Sequence, residues 1–166
     1  MGELDGKVSV ITGGSGSIGL ASAHRFVKAG AKVMLADLHK DDLSRAVQSL
    51  GEENAACVET DVTNERSVKT LVDATVERFG KIDIVFSNAG NFGTVAPIVD
   101  YPTKIFEAVY EVHVKGAFLT CKYAVPHMND GGSIVITSSV AGTRGDPGVY
   151  GYITAKHAQI GLMRCL

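Results

Sequence analysis

Residues 7–37 read KVSVITGGSGSIGLASAHRFVKAGAKVMLAD, and this stretch decides the fold. Residues 7–12 are a short β-branched and apolar run, the composition of a buried strand. Residues 13–19 (GGSGSIG) follow it directly. Apolar residues then recur at helical spacing over 18–29, and Gly30 stops the pattern. Residues 32–36 are a second apolar run, closed by Asp37. Strand, glycine-rich turn, helix and strand make a βαβ unit. In such a turn the backbone N–H groups can approach an anion, and the helix N-terminus favours its charge. A dinucleotide pyrophosphate is the expected anion, with Gly13, Ser15, Ser17, Ile18 and Gly19 as its cradle. Asp37 stands where an acid can bind both ribose hydroxyls of NAD and repel the extra phosphate of NADP. No Arg or Lys occupies Gly14, Ser15 or Leu38, although His39 and Lys40 are near. NAD is therefore expected over NADP. The alternative for Asp37 is a cap on the next helix.

Outward from this unit the pattern repeats. Residues 41–50 read as a polar helix, and 55–60 as a third strand ending at Asp61. Asn64 is placed to cap a helix that runs to Phe79, with Gly80 after it. Residues 82–87 are a fourth strand, followed by Asn88-Ala89-Gly90 and a loop to about Pro102. One long helix is expected over 103–128, with Pro126 in its last turn or at a kink. Residues 129–132 read as a turn before a fifth strand. Strands that are continuous apolar runs have both faces covered. The alternation predicts one doubly wound α/β domain over 1–166, its parallel sheet in the order 3-2-1-4-5. The final helix is still periodic at Ile160, Leu162 and Met163 when the sequence reaches Leu166. The fifth strand would also be a bare apolar edge. Both features create the expectation of a further C-terminal piece with the last strands, or of a partner in its place.

Residues 133–156, SIVITSSVAGTRGDPGVYGYITAK, carry the chemistry. Ser138 and Ser139 end the fifth strand, and Tyr152 and Lys156 open the following helix. Residues at i and i+4 share a helix face. A phenol keeps its proton to about pH 10, and a cation a few ångströms away favours the phenolate. Such a tyrosine can exchange a proton with an alcohol or a carbonyl, and a serine at the strand end can bond the same oxygen. Neither serine lies in a G-x-S-x-G elbow, so the set is not hydrolytic. Asp61 and Asn88 end strands on the carboxyl edge of the sheet, where open α/β sheets bind ligands. Asp61 can receive an adenine amino group or simply close a turn.

Composition narrows the class. With 45% hydrophobic and 20% charged residues, the chain can bury a core. A formal charge of −2 argues against a nucleic-acid partner or an anionic membrane surface. No apolar run is long enough to span a bilayer. Cys57, Cys121 and Cys165 form no C-x-x-C, which reads as reduced thiols of a cytoplasmic protein. The histidines and acids show no metal-ligand spacing.

On these residues the chain resembles the short-chain dehydrogenase/reductase family over essentially its whole length. Thr12-Gly13 with Ile18-Gly19 is similar to its cofactor loop, and Asp61-Val62 to its adenine-contact pair. Asn88-Ala89-Gly90 is similar to its N-A-G motif, and Ser139 stands at the family's spacing before Tyr152-x-x-x-Lys156. The resemblance implies a Rossmann fold and hydride transfer between NAD and a small secondary alcohol or ketone. It implies Tyr152 as general acid/base, with Lys156 lowering the tyrosine pKa and holding the nicotinamide ribose. Ser139 would orient the substrate oxygen, and Asn88, Ala89 and Gly90 would steady the sheet beside that ribose. A homodimer or homotetramer, built on the long and final helices, is implied as well.

Three departures accompany the resemblance. Ser17 stands where the family usually has Gly, with Gly16 one place earlier. His113, within Glu111-Val-His-Val-Lys-Gly116, stands where the family has an Asn that supports a water-mediated proton path to the lysine. Histidine can donate and accept hydrogen bonds, so His113 either substitutes in that role or is a core histidine. Family members are also longer, and the additional part would carry the loop that closes over substrate. Two functions follow: an NAD-dependent alcohol dehydrogenase or ketone reductase, or a dinucleotide-binding or scaffold module without turnover.

Overall fold

The computed structural model describes residues 2–166. Five strands, β1 (Val8–Thr12), β2 (Lys32–Asp37), β3 (Ala55–Glu59), β4 (Ile82–Ser87) and β5 (Met128–Ile136), form one parallel sheet. Its order is β3-β2-β1-β4-β5, as the alternation predicts. The connecting helices are α1 (Ser17–Lys28), α2 (Lys40–Leu50), α3 (Glu65–Phe79), α4 (Thr103–Tyr110), α5 (Gly116–Ala124) and α6 (Tyr150–Cys165).

Successive strand residues face opposite sides of the sheet, and both sides are apolar. Ile11, Val33 and Leu35 pack with Ala23 of α1 and with Leu43, Ala46 and Leu50 of α2. Val10, Met34 and Ala36 pack on the other side with Leu71 and Val72 of α3 and Ala124 of α5. This is why the strands read as unbroken apolar runs. Each fully buried Val, Leu or Ile contributes roughly 1.5–3 kcal/mol of transfer free energy. Helix ends follow local chemistry too: Asn64 Oδ1 accepts from Ser67 N at 3.1 Å, and Gly80 closes α3 in the left-handed region at φ 83°.

Two segments differ from expectation. The long helix is not uniform: between α4 and α5, Glu111–Lys115 form a π-helical turn, with Gly116 N bonded back to Glu111 O. One extra residue per turn leaves the apolar period almost unchanged, so the pattern does not reveal it. Residues 129–132 are not a turn ahead of β5 but a bulge inside it. Ile82 pairs with Met128, and Ile84 pairs with Ser133. Beneath that bulge the buried Asp83 carboxylate receives Val8 N at 2.9 Å, Asn129 Nδ2 at 2.9 Å and Lys7 Nζ at 3.3 Å, with Lys81 Nζ at 3.6 Å. It joins β1, β4 and β5 at their amino ends.

The opposite edge positions the candidate site. Thr12 Oγ1, at the end of β1, accepts from Asn88 N at 3.0 Å and Ala89 N at 3.1 Å. Asn88 Nδ2 donates to Gly13 O at 3.3 Å, and Asn88 Oδ1 accepts from Thr137 Oγ1 at 3.0 Å. The ends of three neighbouring strands are thus tied by side chains where the backbone ladder stops. Among the described residues no helix is long and apolar enough to cross a membrane.

Candidate active site

A cavity of about 540 Å³ opens along this carboxyl edge. Gly13, Ser17, Ile18 and Asp37 border one end, and Tyr152, Lys156 and His113 border the other. Asp61, Val62, Asn88, Ala89 and Gly90 lie along the wall between them. Most of the site residues read from the sequence therefore meet around one space. Ser15, Gly19 and Ser139 do not line it.

At the first end, Gly13 has φ +64° and packs against the strand-four loop: a Cβ there would meet Ala89 Cα at 3.0 Å. Gly19 lets α1 approach the loop, since a Cβ on it would lie 2.1 Å from Gly13 O. Ser17 replaces the family's Gly without disturbing the loop, because it forms the first residue of α1 and its side chain is exposed. Asp37 Oδ2 accepts from Ser15 N at 3.1 Å and Ser15 Oγ at 2.6 Å, and Oδ1 accepts from Leu38 N at 2.9 Å. The acid is held against the glycine turn rather than capping α2, whose N-cap is His39. Asp61 Oδ1 accepts from Thr63 N at 2.9 Å and Thr63 Oγ1 at 2.7 Å, so it closes a turn while also facing the cavity. A positive-φ glycine, open backbone at a helix start and an acid at the second strand end fit a dinucleotide.

At the other end, Lys156 is 3% exposed and donates from Nζ to Thr137 O at 2.6 Å. Burial pulls its ammonium pKa down from 10.5 to about 8. The same ammonium lies 5.3 Å from the centre of the Tyr152 ring. Ser139 Oγ accepts from Ala141 N at 3.1 Å and caps the short turn after β5, which leaves its O–H free to donate. Ser138 Oγ instead donates to Lys156 O at 3.2 Å, so of the two serines it braces α6.

The π-helical turn turns His113 inward, 2% exposed. Its Nε2 lies 3.0 Å from Asn91 N and 2.7 Å from Asn91 O. It accepts from the amide in one tautomer and donates to the carbonyl in the other. Burial is the main force lowering its pKa. The Asn91 bond opposes it, and the Lys156 charge adds to it. His113 is therefore neutral at ordinary pH. Its ring stands edge-on to Tyr152, with centroids 5.5 Å apart and planes at 89°. Gly90 makes room for it, since a Cβ there would sit 2.5 Å from His113 Cε1.

Three residues at the site escape a sequence reading, and Thr12, read as part of the cofactor loop, has a bonding role that the reading did not give it. Thr137 looks like an ordinary strand end. Gln159, buried in α6, donates from Nε2 to His113 O at 3.0 Å, and its period alone marks it only as core-facing. Phe92 borders the cavity beside Tyr152, with ring centroids 5.4 Å apart. Its only signal is its position two residues after Asn88-Ala89-Gly90. Among the described residues no group of three or more His, Cys, Asp or Glu side chains is placed to hold a metal ion.

Comparison with known proteins fits this geometry. A family model for short chain dehydrogenases matches residues 7–166. Secoisolariciresinol dehydrogenase of Forsythia intermedia is 42% identical over 167 residues, covering 99% of this chain and 60% of the relative. Short-chain dehydrogenase reductase 3a of Arabidopsis thaliana is 38% identical, covering 98% of this chain and 64% of the relative. The crystal structure of an NAD+-bound xylitol dehydrogenase superposes with a TM-score of 0.94 at 40% identity, over 98% of this chain and 64% of that one. The chain thus spans less than two thirds of the length of these relatives. On the fold, the site geometry and these matches together, the chain belongs to the short-chain dehydrogenase/reductase family of oxidoreductases.

Proposed function

We propose that this chain carries the cofactor-binding and acid/base part of an NAD-dependent oxidoreductase that interconverts a secondary alcohol and a ketone. The observation that carries it is the buried, charged Lys156 beside the Tyr152 ring, at the end of the cavity opposite Asp37. The nicotinamide, when bound, supplies the hydride acceptor or donor. In the oxidative direction Tyr152 takes the alcohol proton as the carbinol carbon loses hydride, so the products are the ketone and reduced cofactor. Lys156 stabilises the phenolate form of Tyr152 that takes this proton, and Ser139 donates its O–H to the substrate oxygen. Asp37 would accept the adenosine ribose hydroxyls of the cofactor, which favours NAD over NADP. Val62 and Asp61 would hold the adenine of a bound dinucleotide, and Asn88, Ala89 and Gly90 its nicotinamide ribose. His113 holds the loop after β4 behind Tyr152. Residues 1–166 act as one dinucleotide-binding unit. Free Cys57, Cys121 and Cys165 suit a cytoplasmic setting. Exposed Tyr110 and Phe118 on the long helix suit a homodimer or homotetramer.

One observation favours a second reading, a dinucleotide-binding module without turnover: Ser139 does not line the cavity. Tyr152→Phe separates the two. Under the first reading it abolishes alcohol-dependent NADH formation and spares NAD binding, measured by calorimetry. Under the second, no alcohol yields NADH and the substitution changes nothing. Turnover unaffected by Tyr152→Phe would overturn the acid/base assignment.

A further inference from the structure

The loop after β4 carries an aromatic side chain that the fold neither buries nor releases. Phe92 is 55% exposed. Its backbone is nevertheless held on both sides. His113 Nε2 holds Asn91 by one hydrogen bond, from its N or to its O according to the tautomer, and Ala96 N donates to Gly148 O at 3.1 Å. The His113 end of this clasp is rigid, because the ring fills the space left by Gly90 and its carbonyl is bonded by Gln159. The Phe92 ring is thereby set against Tyr152, 5.4 Å between centroids and tilted by 44°. Tyr152 lies between two rings, His113 within the fold and Phe92 on the cavity side. The charged side chains bordering the cavity are Asp37 and Asp61, towards the glycine turn, and Lys156, whose ammonium is bonded to Thr137 O.

We propose that Phe92 is a specificity-determining residue, and that the site takes secondary alcohols or ketones with a flat apolar ring next to the reacting carbon in preference to polyols. This rests on the oxidoreductase reading above. A ring placed at Tyr152 finds an exposed aromatic face for offset or edge contact. A polyol hydroxyl set against the Phe92 ring loses water and finds no hydrogen-bond partner on that ring.

The test uses the full chain with NAD and three alcohols: 1-phenylethanol, butan-2-ol and xylitol. NADH formation is expected to give kcat/KM in that descending order. Phe92→Ala lowers the ratio of 1-phenylethanol to butan-2-ol on the order of tenfold, through KM. Phe92→Tyr keeps the ratio, and Phe92→Leu falls between. A ratio unchanged in Phe92→Ala, or xylitol preferred by the unaltered protein, overturns the proposal. No turnover with any of the three is the failure of the oxidoreductase reading instead. Phe92 is then read by ligand-observed NMR of 1-phenylethanol and xylitol with the NAD-loaded chain. Line broadening confined to 1-phenylethanol and lost in Phe92→Ala supports the assignment. Equal broadening of both, or none that depends on Phe92, overturns it. Circular dichroism of each variant shows that the fold is intact.

Discussion

Replacing Lys156 by Met tests the charge buried beside Tyr152. Its ammonium pKa falls from 10.5 to about 8 through burial. At about 1.4 kcal/mol per pH unit, this gap corresponds to roughly 3 kcal/mol by which the folded state disfavours the charged form. Methionine fills a similar volume without charge. The substitution also strips Thr137 O of its 2.6 Å donor, and an unpartnered buried carbonyl costs about 1–3 kcal/mol. The two effects nearly offset at neutral pH, so stability there is expected to change by less than about 2 kcal/mol. The pH dependence discriminates better. Below the folded value, both folded and unfolded Lys156 are protonated and the burial penalty is fully present. Between about 8 and 10.5 the unfolded chain binds more protons than the folded one, so wild-type stability rises with pH. The Met variant lacks this rise. Its stability relative to wild type should therefore drop by about 2 kcal/mol between roughly pH 7 and pH 9.5. Urea unfolding followed by circular dichroism measures both proteins at both pH values. A difference that stays flat, or that grows in favour of the Met variant, refutes a buried ammonium at this position.

Three other outcomes are expected. Burial pushes the Asp83 carboxyl pKa up, but bonds from Asn129, Val8 N and Lys7, with the Lys81 charge, outweigh it and leave it below the usual value. Asp83→Asn should cost about 1–2 kcal/mol at neutral pH, discounted because Lys7 and Lys81 are half in water. Its penalty relative to wild type should vanish as acid protonates Asp83, read by urea unfolding below about pH 4. Gly90→Ala forces the His113 ring away from Asn91, costing roughly 1–3 kcal/mol in thermal unfolding and raising KM for the alcohol; an unchanged melting curve would mean the ring is not wedged there. Asp37→Ala frees Ser15 and removes the ribose acceptor, so calorimetry should show NAD binding weakened about tenfold and the preference over NADP reduced. Tighter binding of NADP than of NAD by the unaltered protein would contradict the role given to Asp37.

The layered fold was legible because the sheet is apolar on both faces and α1 and α3 end just before Gly30 and Gly80. Asn64, Gly80 and the fourth strand fall where their residue chemistry puts them. The gathering of Asp37, Asn88, Tyr152 and Lys156 on one edge follows from the strands being parallel, since each residue comes at or after the carboxyl end of its strand. What escaped were effects that leave no periodic trace. His113 was read either as a relay residue or as a core histidine, but a π-helical turn leaves no mark in the apolar stripe, so the turn itself and the hold of His113 on Asn91 were invisible. The bulge in β5 keeps Met128 in register with Ile82 across a Gly-rich segment that reads as a plain turn. Phe92 looks like a loop aromatic until the clasp on its neighbour sets it against Tyr152.

The Thr12 hydroxyl has a kinetic consequence. One oxygen is the acceptor for two successive amides, Asn88 and Ala89, at the point where β4 leaves the sheet. Neither peptide can swing out alone without weakening the geometry of the other, so the two protons should exchange with deuterium at nearly the same rate, as one opening event. Replacing Thr12 by Val would uncouple them, and the loop leading to Phe92 would begin to breathe one peptide at a time.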